Sequence, residues 1–326
     1  MATEGGTRVH GAVDAESVLG LYRTMRLIRR FEETVQSLFL RGEVHGTTHL
    51  YVGQEAVATG VGAVLGPHDR VAATYRGHGH ALSIGVDPQA LLDEMLGRRS
   101  GVCGGRAGSM NVVDLQHRLI GSFGIIGGSM AAATGASLSL RRSGGVAVGY
   151  FGDGATNHGY FHECLNFAAV NSLPVVYVCE NNLYGEFTPW DEVTAGQIID
   201  RPRALGIDAR QVDGMDVLAV YETAADAVET ARAGNGPVFV EALTYRFVGH
   251  SRSDPGAYRR PGELDEWRER DPLKLASEAL RQRFDVAPET IREADDAIEE
   301  QMDRMQERAL AAPYPEPEAA VREFAP

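Results

Sequence analysis

Two hydrophobic rhythms run along this chain. Val18, Leu21, Tyr22, Met25, Ile28, Phe31, Val35 and Leu38 recur every three or four residues, the period of an amphipathic helix, and Asp14 stands where its N-cap is needed. The other side of that helix carries Arg29, Arg30, Glu32 and Glu33, which reads as a solvated or subunit-facing surface. Short stretches at 71–75, 146–151, 174–179 and 237–241 read instead as strands, the second and third being apolar runs that fit strands buried on both faces, as in a parallel sheet. Between the second and third runs, Phe161, Leu165, Ala168 and Ala169 place a helix over 158–171. That unit is a βαβ crossover, which is almost always right-handed. Further helices are expected after Asp87-Pro88, over 129–140, where small residues dominate, and over 217–233, entered by a turn at 211–216. Ile291, Ala294, Ile298, Met302 and Met305 form one more packing stripe. Strands alternating with helices predict an α/β fold with a mostly parallel central sheet and helices on both faces.

The same pattern sets the organisation of the chain. Residues 1–13 are polar and glycine-containing and read as a flexible N-terminal segment. Residues 14–310 read as a single domain, and the PYPEPE-bearing stretch 311–326 as an extended tail. Within the domain, 97–128 reads as a long, irregular, glycine-rich loop of the kind that usually carries function.

Polar chemistry is concentrated where strands end. The run 146–151 delivers Gly152-Asp153-Gly154, and 174–179 delivers Glu180-Asn181-Asn182. In a parallel sheet both clusters share one edge, beyond the carboxyl ends of the strands, where open α/β sheets bind ligands. Flanking glycines would let the backbone at Asp153 turn sharply and approach a ligand. Asp153, Asn182 and one backbone carbonyl would offer a hard cation three oxygens and leave positions for phosphate or water, the usual manner of holding magnesium. The run 71–75 ends in Tyr75-Arg76-Gly77-His78-Gly79-His80, an arrangement suited to an anion. His45 and His49 lie four apart, but Gly46 occupies the place of the glutamate a zinc-protease helix needs, so that reading is rejected. Gly124-Ile125-Ile126-Gly127 lacks the GxGxxG pattern, which disfavours a nicotinamide site.

GDG followed by ENN is similar to the thiamine diphosphate motif, and the stretch GDGATNHGYFHECLNFAAVNSLPVVYVCENNLYGEFT resembles the alpha subunit of the decarboxylating component of 2-oxo acid and acetoin dehydrogenase complexes. The resemblance extends from about Ser17 to Pro272 and includes HLYVGQEA, YRGHGH and TYRFVGHSRSDP; Asn111 departs from it, replacing a histidine. It implies a thiamine diphosphate-binding fold. It implies that Asp153, the Asn182 side chain and the Tyr184 backbone hold Mg²⁺ against the cofactor's diphosphate. Tyr75, Arg76, Gly152, Gly154, Arg246 and His250 would contact the cofactor, and the backbone of Gly124 and Ile126 its aminopyrimidine ring. His49, His78 and His250 are the candidates for proton transfer or for stabilising charge on the former carbonyl oxygen. Ser251 matches a serine phosphorylated in animal relatives and is expected to be unmodified here. The glutamate that activates the cofactor is expected on a separate beta subunit carrying the pyrimidine-binding half, in an α2β2 assembly. Acyl transfer to a lipoyl-bearing acyltransferase would follow. YRGHGH and YGEFTP lean toward acetoin as substrate, GHSRSDP toward pyruvate; branched-chain 2-oxo acids stay open. A pathway-specific acyl-transfer subunit without a full oxidative cycle, or a non-catalytic scaffold subunit, are the alternatives.

Composition narrows the surroundings rather than the chemistry. A formal net charge of −14, with Asp and Glu dispersed, disfavours a nucleic-acid surface. Cys103, Cys164 and Cys179 fit no zinc spacing and read as reduced thiols. No apolar run approaches the roughly 20 residues of a membrane span, and the first residues resemble neither a signal nor a transit peptide. A cytoplasmic protein is expected.

Overall fold

The structure is a computed structural model and describes residues 13–317. The chain runs α1 (Ala15–Leu40), α2 (Glu55–Gly62), β1 (Arg70–Thr74), α3 (His78–Ser83), α4 (Pro88–Met95), β2 (Leu119–Phe123), α5 (Gly128–Leu140) and β3 (Ala147–Gly152). After a 3-10 turn at Asp153–Asn157 it continues with α6 (Gly159–Val170), β4 (Val175–Asn181), the two-residue strands β5 (Tyr184–Gly185) and β6 (Thr188–Pro189), α7 (Trp190–Val193), α8 (Asp200–Ala204) and β7 (Asp208–Asp213). It closes with α9 (Val217–Arg232), β8 (Val238–Leu243), α10 (Glu263–Arg268), α11 (Pro272–Arg283) and α12 (Pro288–Ala311).

Six strands form one sheet in the order β2-β1-β3-β4-β8-β7, parallel throughout, while β5 and β6 make a small antiparallel hairpin beyond its edge. Successive side chains of a strand point to opposite faces, and each face has its own core. Val148 and Tyr150 of β3 join Val176 and Val178 of β4 in the layer covered by α1, α2, α4, α9 and α12. Ala147 and Phe151, with Val175, Tyr177 and Cys179, pack against α5 and α6. The βαβ unit, the helix caps at Asp14 and Asp87 and the small-residue helix are found where the sequence places them.

Three expectations are corrected. The stretch 97–128 contains β2, hidden by its brevity and by Gly121 within it. The expected turn at 211–216 is largely β7, an edge strand of mixed exposure whose sequence, DARQVD, lacks an apolar alternation. The charged face of α1 is not solvated at Arg29 and Glu32, which are buried. Arg29 forks onto both Glu55 and Asp271, Glu32 meets His78, and only Glu33 among the four is exposed. The flexible-segment reading of 1–13 lies outside the described residues except for Val13, which packs against α1's core neighbours. At the other end Pro313 O accepts the Arg99 amide at 2.9 Å and Arg98 lies 4.1 Å over the Tyr314 ring, so the start of the tail is held down; 318–326 lie outside the described residues.

Candidate active site

The sheet order reverses between β1 and β3: the chain leaves β1 toward β2 on one side and β3 toward β4 on the other. Such a switch point opens a crevice at the carboxyl ends of the strands. A cavity of about 510 Å³ lies there, walled by Tyr75 and Arg76 after β1, Gly152, Asp153 and Gly154 at the end of β3, Glu180 and Asn182 at the end of β4, and Arg246 and His250 after β8. His49, Gly124, Ile126 and Tyr184 also line it, so all the candidate site residues the sequence singles out except His78 stand on its wall.

Asp153 is buried, and its Oδ2 has no hydrogen-bond partner. Burial pushes its carboxyl up to about 6, against the pull of its own backbone amide, of the Arg246 charge and of the nearby Asn182 backbone amide. The two residues expected to share a metal are therefore neighbours. Asn182 is fixed by two contacts: Nδ2 donates to Gln54 Oε1 at 3.1 Å, and Oδ1 accepts from Arg246 Nε at 3.2 Å. That leaves the amide oxygen toward the positive side of the cavity.

Two buried guanidinium groups face the same space with no carboxylate partner among the described residues. Arg76 donates Nη1 to Leu50 O at 2.5 Å and Nη2 to His250 O at 2.8 Å. Burial, then the charge of Arg246, lowers it to about 10. Arg246 donates Nη2 to Glu186 O at 3.1 Å, and its buried Nη1 has no partner. Burying cations this way is costly unless an anion compensates them.

His49, Tyr75 and His250 form a cluster of rings, with centroids 4.5 Å apart for His49–Tyr75 and 5.0 Å for His49–His250. Desolvation, reinforced by the Arg76 charge, drives His49 down to about 3 and His250 down to about 4, so both imidazoles are neutral near pH 7. His78 is not brought to the cavity wall. It starts α3 with its ring turned between Glu32, at 3.0 Å from Nδ1, and Ser109, at 2.9 Å from Nε2, so both ring nitrogens are occupied. His80 is also buried, with Nε2 3.0 Å from Glu180 Oε1, and Tyr51 donates to the same oxygen.

The backbone explains the hairpin better than the glycines beside Asp153. Gly152 is extended, at φ −89° and ψ 168°, a conformation open to any residue, so no sharp glycine turn occurs there. Gly154 matters for proximity: a Cβ on it would lie 3.3 Å from Gly185 Cα of the hairpin. Leu183 at φ 74° and Glu186 at φ 58° bring the hairpin back over the cavity in left-handed conformations that cost about 1–2 kcal/mol each. Gly53, at φ +100°, carries a second requirement, because a Cβ there would sit 2.4 Å from Tyr245 O.

Sequence reasoning did not assign Gln54 or Met110 to the site, and it gave Glu180 only as part of the polar cluster that ends β4. Gln54 was recognisable beside His49, but its partner Asn182 is 128 positions away. Among the described residues no group of three His, Cys, Asp or Glu could hold a metal. A cation here would rest on one carboxylate, one amide and backbone oxygen, a hard-donor set suited to Mg²⁺. The orphaned Asp153 oxygen beside the uncompensated arginines fits a metal-bound diphosphate.

The chain is 42% identical over 310 residues to the alpha subunit of acetoin:2,6-dichlorophenolindophenol oxidoreductase of Cupriavidus necator, covering 94% of this chain and 93% of that protein. It is 40% identical to the Bacillus subtilis protein of the same name, over 92% of this chain and 91% of that one. It is also 40% identical to the pyruvate dehydrogenase E1 component subunit alpha of Zymomonas mobilis, over 93% and 86%. With residues 23–318 matching the family described as dehydrogenase E1 component, the chain belongs to that family.

Proposed function

We propose that this chain is the alpha subunit of a thiamine diphosphate- and Mg²⁺-dependent dehydrogenase acting on a 2-oxo acid or acetoin. One observation carries the reading: Arg76 and Arg246 are buried without a carboxylate beside Asp153, whose buried Oδ2 accepts nothing. A magnesium diphosphate would complement both charges at once. When bound, thiamine diphosphate supplies a nucleophilic carbon and an electron sink for cleavage of the bond next to a carbonyl.

The protein's part is to bind, orient and exchange protons. Asp153, Asn182 Oδ1 and the backbone of Tyr184 would hold the cation, and Gln54 keeps the Asn182 amide turned the right way. Arg76, Arg246 and Tyr75 would take the diphosphate, and Gly152 and Gly154 leave room for it. Gly124 and Ile126, on the exposed rim, would receive the aminopyrimidine ring. His49 and His250, uncharged, are suited to accept a proton or to hydrogen-bond a carbonyl oxygen. His78, held by Glu32 and Ser109, is a positioning residue in this scheme. Glu180 is engaged by Tyr51 and His80. The glutamate that activates the cofactor would come, as the family resemblance implies, from a beta subunit in an α2β2 assembly. A lipoyl-bearing acyltransferase would accept the acyl group. The domain proposed to carry these roles is 14–310.

The test is co-purification with the beta subunit, followed by assays of pyruvate, branched-chain 2-oxo acids and acetoin with an artificial electron acceptor. Asp153→Ala should lose cofactor retention while keeping the fold. Full activity in that variant contradicts the assignment.

A further inference from the structure

The segment after β8 has two sides. Arg246 and His250 face the main cavity, whereas Val248, Ser251, Arg252 and Asp254 line a second one of about 230 Å³ behind it. The facing loop divides in the same way, with His49 on the first cavity and Leu50 on the second. Gln36 of α1 and Arg259 close the far wall.

The charge in this second cavity is unbalanced. Arg252 is half-buried, with Phe39 4.8 Å from its guanidinium carbon, and its side chain has no hydrogen bond or ion pair among the described residues. Arg259 donates only to the carbonyls of Arg246 and Val248, and its buried Nε has no partner. The one carboxylate in this wall among the described residues, Asp254, is set against two guanidinium groups and is turned onto the His250 amide at 2.5 Å, the Gly256 amide at 2.8 Å and the Tyr258 hydroxyl at 2.9 Å. The Gln36 amide makes no hydrogen bond within the described protein, so it too can donate.

We infer that this cavity is a second anion site, taking a small oxyanion such as inorganic phosphate or a short carboxylate. Two guanidinium groups, an amide and the Ser251 hydroxyl are the donor set such a ligand needs. The volume is below the range typical of pockets for drug-sized ligands, which favours an ion of a few heavy atoms over a larger ligand. Its walls are the reverse sides of the two loops that carry His49 and His250, so an ion there would brace those loops. The inference does not depend on the function proposed above.

Calorimetric titration of inorganic phosphate into the full chain tests it. The parent is expected to bind at two sites, with Arg246→Gln losing one and Arg252→Gln weakening the other by roughly tenfold or more. Arg252→Lys should fall between. Because Arg252 makes no side-chain hydrogen bond, its replacement should leave the melting temperature near that of the parent. Thiamine diphosphate with Mg²⁺ should displace phosphate from the Arg246 site alone. Failure of that displacement would count against the cofactor reading and not against this site. Phosphate binding that is unaffected by Arg252→Gln, or absent once Arg246 is replaced, overturns the inference.

Discussion

Asp153, proposed above to hold the cation, is costly to the protein as long as nothing compensates its charge. Its folded-state value, about 6, lies above the ordinary 3.8, so the stability it contributes is complete below pH 3.8 and is lost as pH rises through about 6. Asp153→Asn removes that cost while keeping the shape. The cofactor-free variant should melt a few degrees above the parent at pH 7 and level with it at pH 4, and it should no longer respond to Mg²⁺ and thiamine diphosphate in a thermal melt. His49 and His250 act with the opposite sign. Their folded values, about 3 and about 4, lie below 6.5, so the unfolded chain binds more protons and stability falls as pH drops from 6.5 toward 4. Melts of His250→Asn across that range should slope less steeply than those of the parent. The carboxylate, the amide and Arg76 were legible because strand ends betray themselves in sequence, whereas Arg246 was legible only through the resemblance at TYRFVGHSRSDP. The misplacement of His78 was not, since only the fold shows Glu32 and Ser109 on either side of its ring.

Elements with strong periodicity were readable, and those held by polar contacts were not. α1, β3, α6 and β4 announce themselves by apolar spacing. β2 and β7 form because a neighbouring strand supplies their hydrogen bonds, β1 in one case and β8 in the other. The loop after α4 owes its shape to a single buried side chain. Glu94 accepts the amides of Cys103 at 2.7 Å, Gly105 at 2.9 Å, Ala107 at 2.6 Å and Gly108 at 3.2 Å. Four amides converging on one carboxylate pin the segment that leads to Ser109 and to Met110 on the cavity wall. Glu94→Ala should cost about 2–3 kcal/mol in urea unfolding, since hydrogen bonds to a charged group are among the stronger ones and the half-exposed amides regain some water. Amide exchange should accelerate at 103–108 and leave β3 and β4 protected. Uniform acceleration would mean that the clasp stabilises the whole fold and has no local role.

At the scale of the molecule, the cavity is built asymmetrically. Its deep end, at Asp153, Arg76 and Arg246, is buried and charged, whereas its mouth at Gly124, Ile125 and Ile126 is open, Ile125 being 72% exposed. Contacts made in a desolvated setting are stronger than those left in water, so this chain by itself should recognise the diphosphate far better than the rings attached to it. Magnesium pyrophosphate and magnesium thiamine diphosphate should then bind the isolated chain with affinities within about tenfold of each other, a difference of roughly 1.4 kcal/mol. Adding the beta subunit should tighten thiamine diphosphate by a much larger factor and leave pyrophosphate nearly unchanged, because the partner would enclose the rings without adding to the charged end. Calorimetry on the isolated chain and on the complex separates the two cases. If the isolated chain already prefers thiamine diphosphate by several orders of magnitude, ring recognition is complete in one subunit and no separate pyrimidine-binding half is needed.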